Sequence, residues 1–509
     1  MMKRLAILMV LALLITAIVV DSCKKPVSTN NTDNSNYPPE VAAIILNECA
    51  ISGCHDAASY ANSDNLRLDT WEHLFQGGSD GASIIPYCTL YSPFLSYINT
   101  DSLQGPVNYP TMPISTPGRN LAYLTRAQYN TIYNWIAAGA PDKNGNVAFA
   151  ANPDTRQKIY ITQQGCDIVA VVDAESKLVM RYISVGMPQG VINPSQSPHD
   201  VTMSDDGMYG YVSLFNGTYL QKFDTRADTV IAQDNLSNQV PGGSVGWWSI
   251  IDVSPQDTAL VVSSYLSDGF MAYLNPQTMA TVYNTGSGSI PNAHGIEHNT
   301  TFDTFFVCSQ FGNVVYKFSR NGFPEYLKQV NIDPQLAITT STVPGVTPDP
   351  HQILMSPDHS RYYVSCENTN EVRVMDAHKD TLIAVIPVGA FPQELDVSST
   401  YPYLFVACMH DANNPNAGRL GSVYVINYNT NQVITVLYGD FYEPHDVTVD
   451  EMYGQLFVIS TNANGVAHHT TACGGTSGWY SVYDLNDLQP ADNNRYTMTN
   501  FSYASAARF

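Results

Sequence analysis

The feature that most constrains the fold of this 509-residue chain is a repeat that fills its C-terminal part. Three copies begin with the same Pro-His pair, at Pro198, Pro350 and Pro444. Each copy continues with short runs rich in β-branched and aromatic residues, separated by Asp, Asn, Gly and Ser, which predicts four short strands joined by turns. A four-stranded unit that recurs about every 40 to 60 residues indicates the blades of a β-propeller.

The spacing of the repeats predicts seven blades across residues 155–509. A unit from Lys158 to Val185 lacks an innermost strand of its own. We expect the C-terminal residues 496–509 to supply that strand and so to close the ring. The other six innermost strands are expected near His199, Ser249, His294, His351, Gln393 and His445.

Two short runs in the repeats, Ile159–Thr162 (IYIT) and Tyr362–Ser365 (YYVS), resemble the motif that names the YVTN family of seven-bladed propellers. The resemblance covers most of the repeat region and implies an all-β propeller. It implies little about activity, because propellers host many unrelated functions.

Upstream of the repeats, Cys49 and Cys54 are followed directly by His55, which makes a C-x4-C-H motif. In haem c attachment motifs, two thiols bond to the porphyrin and the adjacent His ligates the iron. The motif resembles the four-residue variant found in the cytochrome c family. This resemblance implies one haem c, with Cys49 and Cys54 as its thioether residues and His55 as the proximal iron ligand. The alternative is a disulfide between the two cysteines, with His55 incidental.

The residues on either side of this motif also resemble a small cytochrome c. Pro39–Glu48 and Leu124–Ile136 have apolar residues at helical spacing, and Thr125 and Gln128 form a capping box at the start of the second helix. The resemblance implies a small all-α cytochrome c-like domain over residues 39–145, followed by the all-β seven-bladed propeller.

In this interpretation the distal iron ligand is Met112, which precedes Pro113 in a loop region. Small cytochromes c of this kind take a Met sulfur from a loop at a comparable distance from the motif. An open sixth position and ligation by His73 are the alternatives. Ligation by His and Met would suit electron transfer, because Met raises the reduction potential and blocks small-molecule binding.

The N-terminus carries an export signal. Two basic residues precede an apolar run, Leu5–Val20, which is short for a membrane-spanning helix and typical of a signal peptide. The residues ending at Cys23 resemble a bacterial lipobox, which implies a signal peptide over residues 1–22 and a diacylglycerol on Cys23. Residues 23–38 are predicted to be a flexible tether. The expected product is a lipoprotein on the periplasmic face or the cell surface, and a simple secretion signal or an uncleaved anchor is the alternative.

Four of the six expected innermost strands carry a His at the equivalent position. In a ring, such positions point toward the mouth of the central channel, and converging neutral imidazoles are typical of copper and zinc sites. The pattern is similar to the propeller of nitrous oxide reductase, although that enzyme has more such His residues and its cupredoxin domain has no counterpart here. The alternative is that these His residues only hydrogen-bond to backbone at the blade entrances. They are His199, His294, His351 and His445.

The formal charge is −22, from 45 acidic and 23 basic residues. This charge argues against nucleic acid, which is bound through Lys and Arg, and favours a redox partner with a basic surface. Three functions stay open: a haem c electron-transfer lipoprotein whose propeller docks a partner, a metal-dependent redox enzyme with its site in the channel, and a non-catalytic binding or scaffold lipoprotein. The six cysteines outside the lipobox and haem motif allow fifteen disulfide patterns, and sequence does not choose among them.

Overall fold

The computed structural model describes residues 34–115, 120–186, 195–240, 242–243, 245–319, 326–416, 418–461, 473 and 478–508. The predicted signal peptide (residues 1–22), the lipidation site Cys23 and most of the tether lie outside these residues. Within them, no helix combines the length and the apolar character needed to cross a bilayer.

The described residues of the repeat region form seven antiparallel sheets of four strands each, which confirms the predicted seven-bladed propeller. The innermost strands contact one another in sequence around the whole ring, and apolar clusters fill the spaces between neighbouring sheets. The strands are β1 (Lys158–Gln163), β2 (Ile168–Asp173), β3 (Leu178–Ser184), β4 (Pro198–Met203), β5 (Tyr209–Leu214), β6 (Tyr219–Asp224), β7 (Thr229–Asn235), β8 (Trp248–Val253), β9 (Leu260–Ser264), β10 (Phe270–Leu274), β11 (Thr281–Asn284), β12 (Ala293–His298), β13 (Thr304–Ser309), β14 (Val314–Ser319), β15 (Tyr326–Asn331), β16 (Pro350–Met355), β17 (Arg361–Cys366), β18 (Glu371–Asp376), β19 (Thr381–Pro387), β20 (Ala390–Val397), β21 (Tyr403–His410), β22 (Ser422–Asn427), β23 (Gln432–Leu437), β24 (Pro444–Asp450), β25 (Gln455–Ser460), β26 (Gly478–Asp484), β27 (Tyr496–Met498) and β28 (Ser502–Ala507).

The ring closes as the sequence predicts. Strand β28 pairs antiparallel with β1 and becomes the innermost strand of the blade that contains β1, β2 and β3. Arg508, just after β28, is buried and donates hydrogen bonds to the backbone oxygens of Asp154, Arg156 and Gly207. The C-terminus is therefore fixed between the first blade and its neighbour.

A left-handed backbone residue lies at the start of every innermost strand; it directly precedes six of the strands and is the second residue of β20. All seven have φ between 47° and 58°, although none is glycine. A positive φ is uncommon outside glycine, so its recurrence shows that each chain reversal into the channel uses the same turn. In each blade the pairing register then shifts within the innermost strand, as a β-bulge does. The seven residues are Ser197, Trp247, Asn292, Asp349, Phe391, Glu443 and Phe501.

The segment before the propeller differs from the prediction. Only about 10% of the residues are helical and the segment is not a separate small all-α domain, so this part of the predicted fold class is wrong. In the part of this segment that the structure describes, four short α-helices are separated by long stretches of turn and loop. They are α1 (Pro39–Glu48), α2 (Trp71–Leu74), α3 (Pro93–Ile98) and α4 (Arg126–Ala137). Short 3-10 helices lie at Tyr60–Asn62 and Ser102–Gln104 in this segment, and at Leu236–Gln239 and Pro255–Asp257 in the propeller.

Side-chain hydrogen bonds to backbone explain why so much of this segment is loop. The Asn99 amide donates to the carbonyls of Asp101, Gly105 and Pro106, each at 3.1 Å, and so holds a turn that no helix could replace. The segment also docks on the propeller. The Thr497 N–H donates to the Asp80 carbonyl at 3.0 Å, and Ile85 packs in an apolar cluster with propeller residues.

Two of the predicted helices are nevertheless present. Helix α1 begins at Pro39, and α4 has the expected capping box, in which Thr125 and Gln128 exchange side-chain to backbone hydrogen bonds. The helices contact each other across an apolar cluster that includes Ile45 and Ile132, both fully buried.

Candidate functional site

The C-x4-C-H motif forms a closed turn at the end of α1. The Cys49 N–H donates to the Ile45 carbonyl at 3.0 Å and so ends the helix, and the His55 N–H returns to the Cys49 carbonyl at 3.3 Å. Both motif thiols are free, so they form no disulfide with each other. Cys49 is buried, and burial raises the pKa of its thiol to about 12. Two thiols and one imidazole thus lie on a single short turn.

The His55 ring has a defined orientation. Its Nδ1 lies 2.8 Å from the Leu66 carbonyl oxygen, which can only accept, so Nδ1 carries the proton and donates. Burial lowers the pKa of His55, which favours the neutral ring. A neutral imidazole whose Nδ1–H is held by a carbonyl keeps its Nε2 lone pair for a metal, which is the usual arrangement of a metal-ligating His.

Met112 lies beside the same apolar cluster as the motif. Its N–H donates to the Tyr97 carbonyl at 2.7 Å, which fixes the loop. Its partly buried side chain packs against the cluster that contains Cys49 and Trp135. His73, the alternative distal ligand, also has its Nδ1 held by an oxygen, 2.8 Å from the Asp69 carboxylate at the start of α2. The residues present fit a haem c with Cys49, Cys54, His55 and Met112, and His73 stays the alternative to Met112.

The residues two positions after the left-handed turns form a second candidate site, the hub ring. All seven are buried, with exposed fractions of 3% or less. The predicted histidines are brought together here, because ring centroids lie 5.6 Å apart for His199 and His294, 4.1 Å for His294 and His351, and 5.9 Å for His351 and His445. The hub ring consists of His199, Ser249, His294, His351, Gln393, His445 and Tyr503.

Tyr503 is the member that the sequence reasoning missed. Its ring centroid lies 3.7 Å from that of His445 and 4.5 Å from that of His199, so it links the last and first blades. The signal was available, because β28 was expected to be an innermost strand and position 503 is its equivalent of the His positions.

Buried carboxyl groups surround the hub ring. The nearest oxygens of Glu367 and Glu394 lie 3.7 and 3.8 Å from the two ring nitrogens of His351. Gln393 donates to Glu367 at 2.7 Å. Burial, together with Asp446 and Asp200, raises the pKa of Glu394, and burial lowers the pKa of His294. The chamber is therefore polar but favours the uncharged forms of Glu394 and His294.

Three further acids, the bulge acids Asp200, Asp396 and Asp446, join neighbouring innermost strands. In each, one oxygen accepts the N–H of the next residue at 2.7–2.8 Å, which satisfies the bulge. The other oxygen accepts from the next blade: for Asp200 from the Ile251 N–H at 2.8 Å, and for Asp396 from the Val449 N–H at 2.7 Å. Burial raises the pKa of these groups to about 7 for Asp200 and Asp396 and about 8 for Asp446.

Among the described residues, one group of three or more His, Cys, Asp or Glu has donor atoms that all lie within 4.8 Å of one another: Asp252, Glu297 and His298. The hub histidines do not form such a group. Sequence reasoning assigned no role to these three residues, because 45 residues separate Asp252 from Glu297 and only the register of the blades makes them neighbours.

No protein-family model matches this chain. The curated protein "Antigen Lp49" of Leptospira interrogans is 29% identical over 143 residues, which are 25% of this chain and 28% of that protein. The match therefore spans little more than a quarter of that protein's length.

Two solved structures are similar in part. One is a functionally unknown protein from Desulfotomaculum acetoxidans, with a TM-score of 0.47 and 13% identity over 68% of this chain and 100% of that chain. The other is hydrazine synthase from Kuenenia stuttgartiensis, with a TM-score of 0.46 and 14% identity over 62% of this chain and 90% of that chain. Both scores are low, so the propeller assignment rests on the seven sheets themselves.

Proposed function

We propose that this propeller protein is an exported electron carrier that binds one haem c. The observation that carries the proposal is the single turn that presents two free thiols and a neutral His55 whose Nδ1–H is held by the Leu66 carbonyl. Cys49 and Cys54 would hold the haem covalently, and His55 and Met112 would hold its iron from the two sides. The haem, when bound, supplies a one-electron redox centre.

The chain's own residues prepare this site. The hydrogen bond to Leu66 orients the His55 ring, and the apolar cluster of α1 and α4 keeps water from one side of the motif turn. The Cys49 thiol stays protonated until it reacts, since burial raises its pKa. A dry, low-dielectric surrounding also raises the potential of a bound haem.

Three observations support export of the chain. The N-terminal residues resemble a lipoprotein signal ending at Cys23. Cys166 and Cys473 form a disulfide, which persists in oxidising compartments and is rare in the cytosol. The relative from Leptospira is named as an antigen. We therefore place the protein at the periplasmic face or cell surface, held to the membrane by the lipid on Cys23.

The partner that fits this surface is a redox protein with a basic docking face. The net charge of −22 would attract such a partner over a distance and would repel nucleic acid. The propeller would then act as the docking platform, and raising ionic strength should slow the electron-transfer reaction.

The test is expression of the whole chain with its own export signal in a host that matures c-type cytochromes. We expect a c-type pyridine haemochrome that survives acid-acetone extraction, at one haem per chain. The Cys49→Ser and Cys54→Ser pair should lose it. Met112→Ala should keep the haem but lose the long-wavelength band of Met-ligated ferric haem, whereas His73→Ala and the exposed Met452→Ala should keep that band. A colourless wild-type protein would refute the proposal.

A metal-dependent redox enzyme is the second candidate, and the closely spaced imidazoles of the hub ring favour it. Copper at His199, His294, His351 and His445 would exchange electrons with the haem, whereas zinc, which is not redox-active, would act there only as a Lewis acid. Copper or zinc measured at one or more per chain, and lost in His294→Gln, would support this candidate. Neither haem nor hub metal would leave the third candidate, a non-catalytic binding or scaffold protein.

A further inference from the structure

The group Asp252, Glu297 and His298 lies at the end of two neighbouring innermost strands, away from the hub ring along the channel. Asp252 in β8 and Glu297 in β12 occupy equivalent positions, each three residues after the hub residue of its blade. His298 is the last residue of β12. The pairing registers of these strands with β9 and β13 are equivalent, so the two carboxylates face each other across one blade boundary.

The donor atoms of these three side chains all lie within 4.8 Å of one another. His298 Nδ1 lies 2.8 and 3.0 Å from the two Asp252 oxygens and 3.4 Å from Glu297 Oε1. Ligands at about 2.1 Å from a zinc ion in tetrahedral geometry lie about 3.4 Å apart. Small adjustments of the side chains would therefore place all three atoms on one cation.

The backbone already fixes the orientation of the central carboxylate. Glu297 Oε1 accepts the His298 N–H at 2.8 Å, and Oε2 accepts the Met355 N–H at 3.1 Å from the next blade. All three side chains are largely buried, with exposed fractions of 13–16%. Outer hydrogen bonds of this kind orient metal ligands and strengthen metal binding.

We infer that Asp252, Glu297 and His298 bind a divalent transition-metal ion of the zinc class. One imidazole and two carboxylates match the borderline N/O preference of Zn²⁺ and Mn²⁺ rather than the all-oxygen preference of Ca²⁺. The ion would bridge two neighbouring blades at the end of the channel opposite the hub ring. This site is independent of the proposed haem and of any hub metal.

The test is calorimetric titration of the whole exported chain with ZnCl2 after dialysis against a chelator, with CaCl2 as the comparison. We expect one tight Zn²⁺ site, a Zn²⁺-dependent rise in Tm, and much weaker Ca²⁺ binding. Asp252→Asn and His298→Gln should each weaken Zn²⁺ binding at least about tenfold. X-ray absorption of the zinc-loaded wild type should show N and O neighbours with imidazole scattering and no sulfur.

Asp396→Asn is the matched control. Asp396 occupies the equivalent strand position in another blade and accepts the same two backbone N–H contacts as Glu297, but no His follows it. It should lower stability and leave Zn²⁺ affinity unchanged. Two results on the wild type would overturn the inference: no Zn²⁺ binding, or Ca²⁺ binding as tight as Zn²⁺ binding. Two results on the variants would do the same: Asp252→Asn binding Zn²⁺ as tightly as the wild type, or loss of the site in His294→Gln rather than in Asp252→Asn. Should Asp252→Asn not fold, Glu297→Gln and the absorption spectrum decide in the same way.

Discussion

The buried cation Lys158 is expected to stabilise the closed ring strongly. Its side chain is fully buried at the start of β1, and its Nζ lies 2.8 Å from Asp228, 3.2 Å from Asp154 and 2.7 Å from the Thr225 carbonyl. The two carboxylates are also buried. Replacing the cation with Met would leave them with less compensation at the boundary between the first two blades.

The size of the effect follows from these contacts. Breaking a buried ion pair by removing one partner costs about 3–5 kcal/mol. Arg181 and Tyr160 still contact Asp228 at 3.2 and 2.9 Å, so we expect the lower end, about 3 kcal/mol, for Lys158→Met. The double variant with Asp228→Asn should be less destabilised than the sum of the two single variants, by about 1–3 kcal/mol.

Urea unfolding followed by far-UV circular dichroism measures both quantities. The control is Lys379→Met, since Lys379 is 76% exposed in its pair with Asp376 and should contribute little. A loss below about 1 kcal/mol for Lys158→Met, or additive effects in the double variant, would refute the view that this network is a compensated buried charge cluster.

Three other outcomes are expected. In the folded state the bulge acids keep their protons up to about pH 7–8, whereas in the unfolded chain they lose them above about pH 4. The folded state therefore binds more protons between these limits, and the free energy of unfolding should fall as the pH rises from 5 to 8. A urea midpoint that is higher at pH 8 than at pH 5 would contradict this. Cys166→Ala should lower the free energy of unfolding by about 4 kcal/mol, because the disulfide to Cys473 closes a loop of 307 residues. A urea midpoint equal to that of the wild type under non-reducing conditions would contradict this prediction. Deleting residues 502–509 should abolish soluble folding, since it removes β28 and exposes the β1 edge; a monomeric, cooperatively melting truncation would show that closure is dispensable.

The propeller could be predicted from the sequence because the same strand pattern recurs in several blades. A single strand such as β17 is ambiguous by itself, but the same pattern recurs from blade to blade and fixes the unit and its length. The missing innermost strand of the first blade predicted the role of β28. Tyr503 was not predicted, because β28 lacks the Pro-His pair that marks three of the other innermost strands.

In the segment before the propeller, local sequence patterns predict where helices lie but not how much of the segment is helical. Pro39 and the Thr125 capping box locate two helices correctly, because helix ends depend on a few nearby residues. The proportion of helix between them depends instead on turns such as the one that Asn99 holds, and on docking contacts such as the one between Asp80 and Thr497. Those contacts join residues far apart in sequence, so the resemblance to a cytochrome implied more helix than the chain forms.

The candidate sites of the propeller arise where one blade departs from the common pattern. The position four residues after the hub residue is apolar in the other six blades, whereas β12 has His298 there; the six residues are Met203, Val253, Met355, Val397, Val449 and Ala507. The imidazole of His298 contacts the carboxylate of the preceding blade, where the other blades have a methyl group or a thioether. A buried imidazole would destabilise an ordinary blade boundary, because it needs polar partners. At this boundary His298 has them in Asp252 and Glu297, so three metal-ligating side chains come together here and at none of the six boundaries that follow the apolar pattern among the described residues.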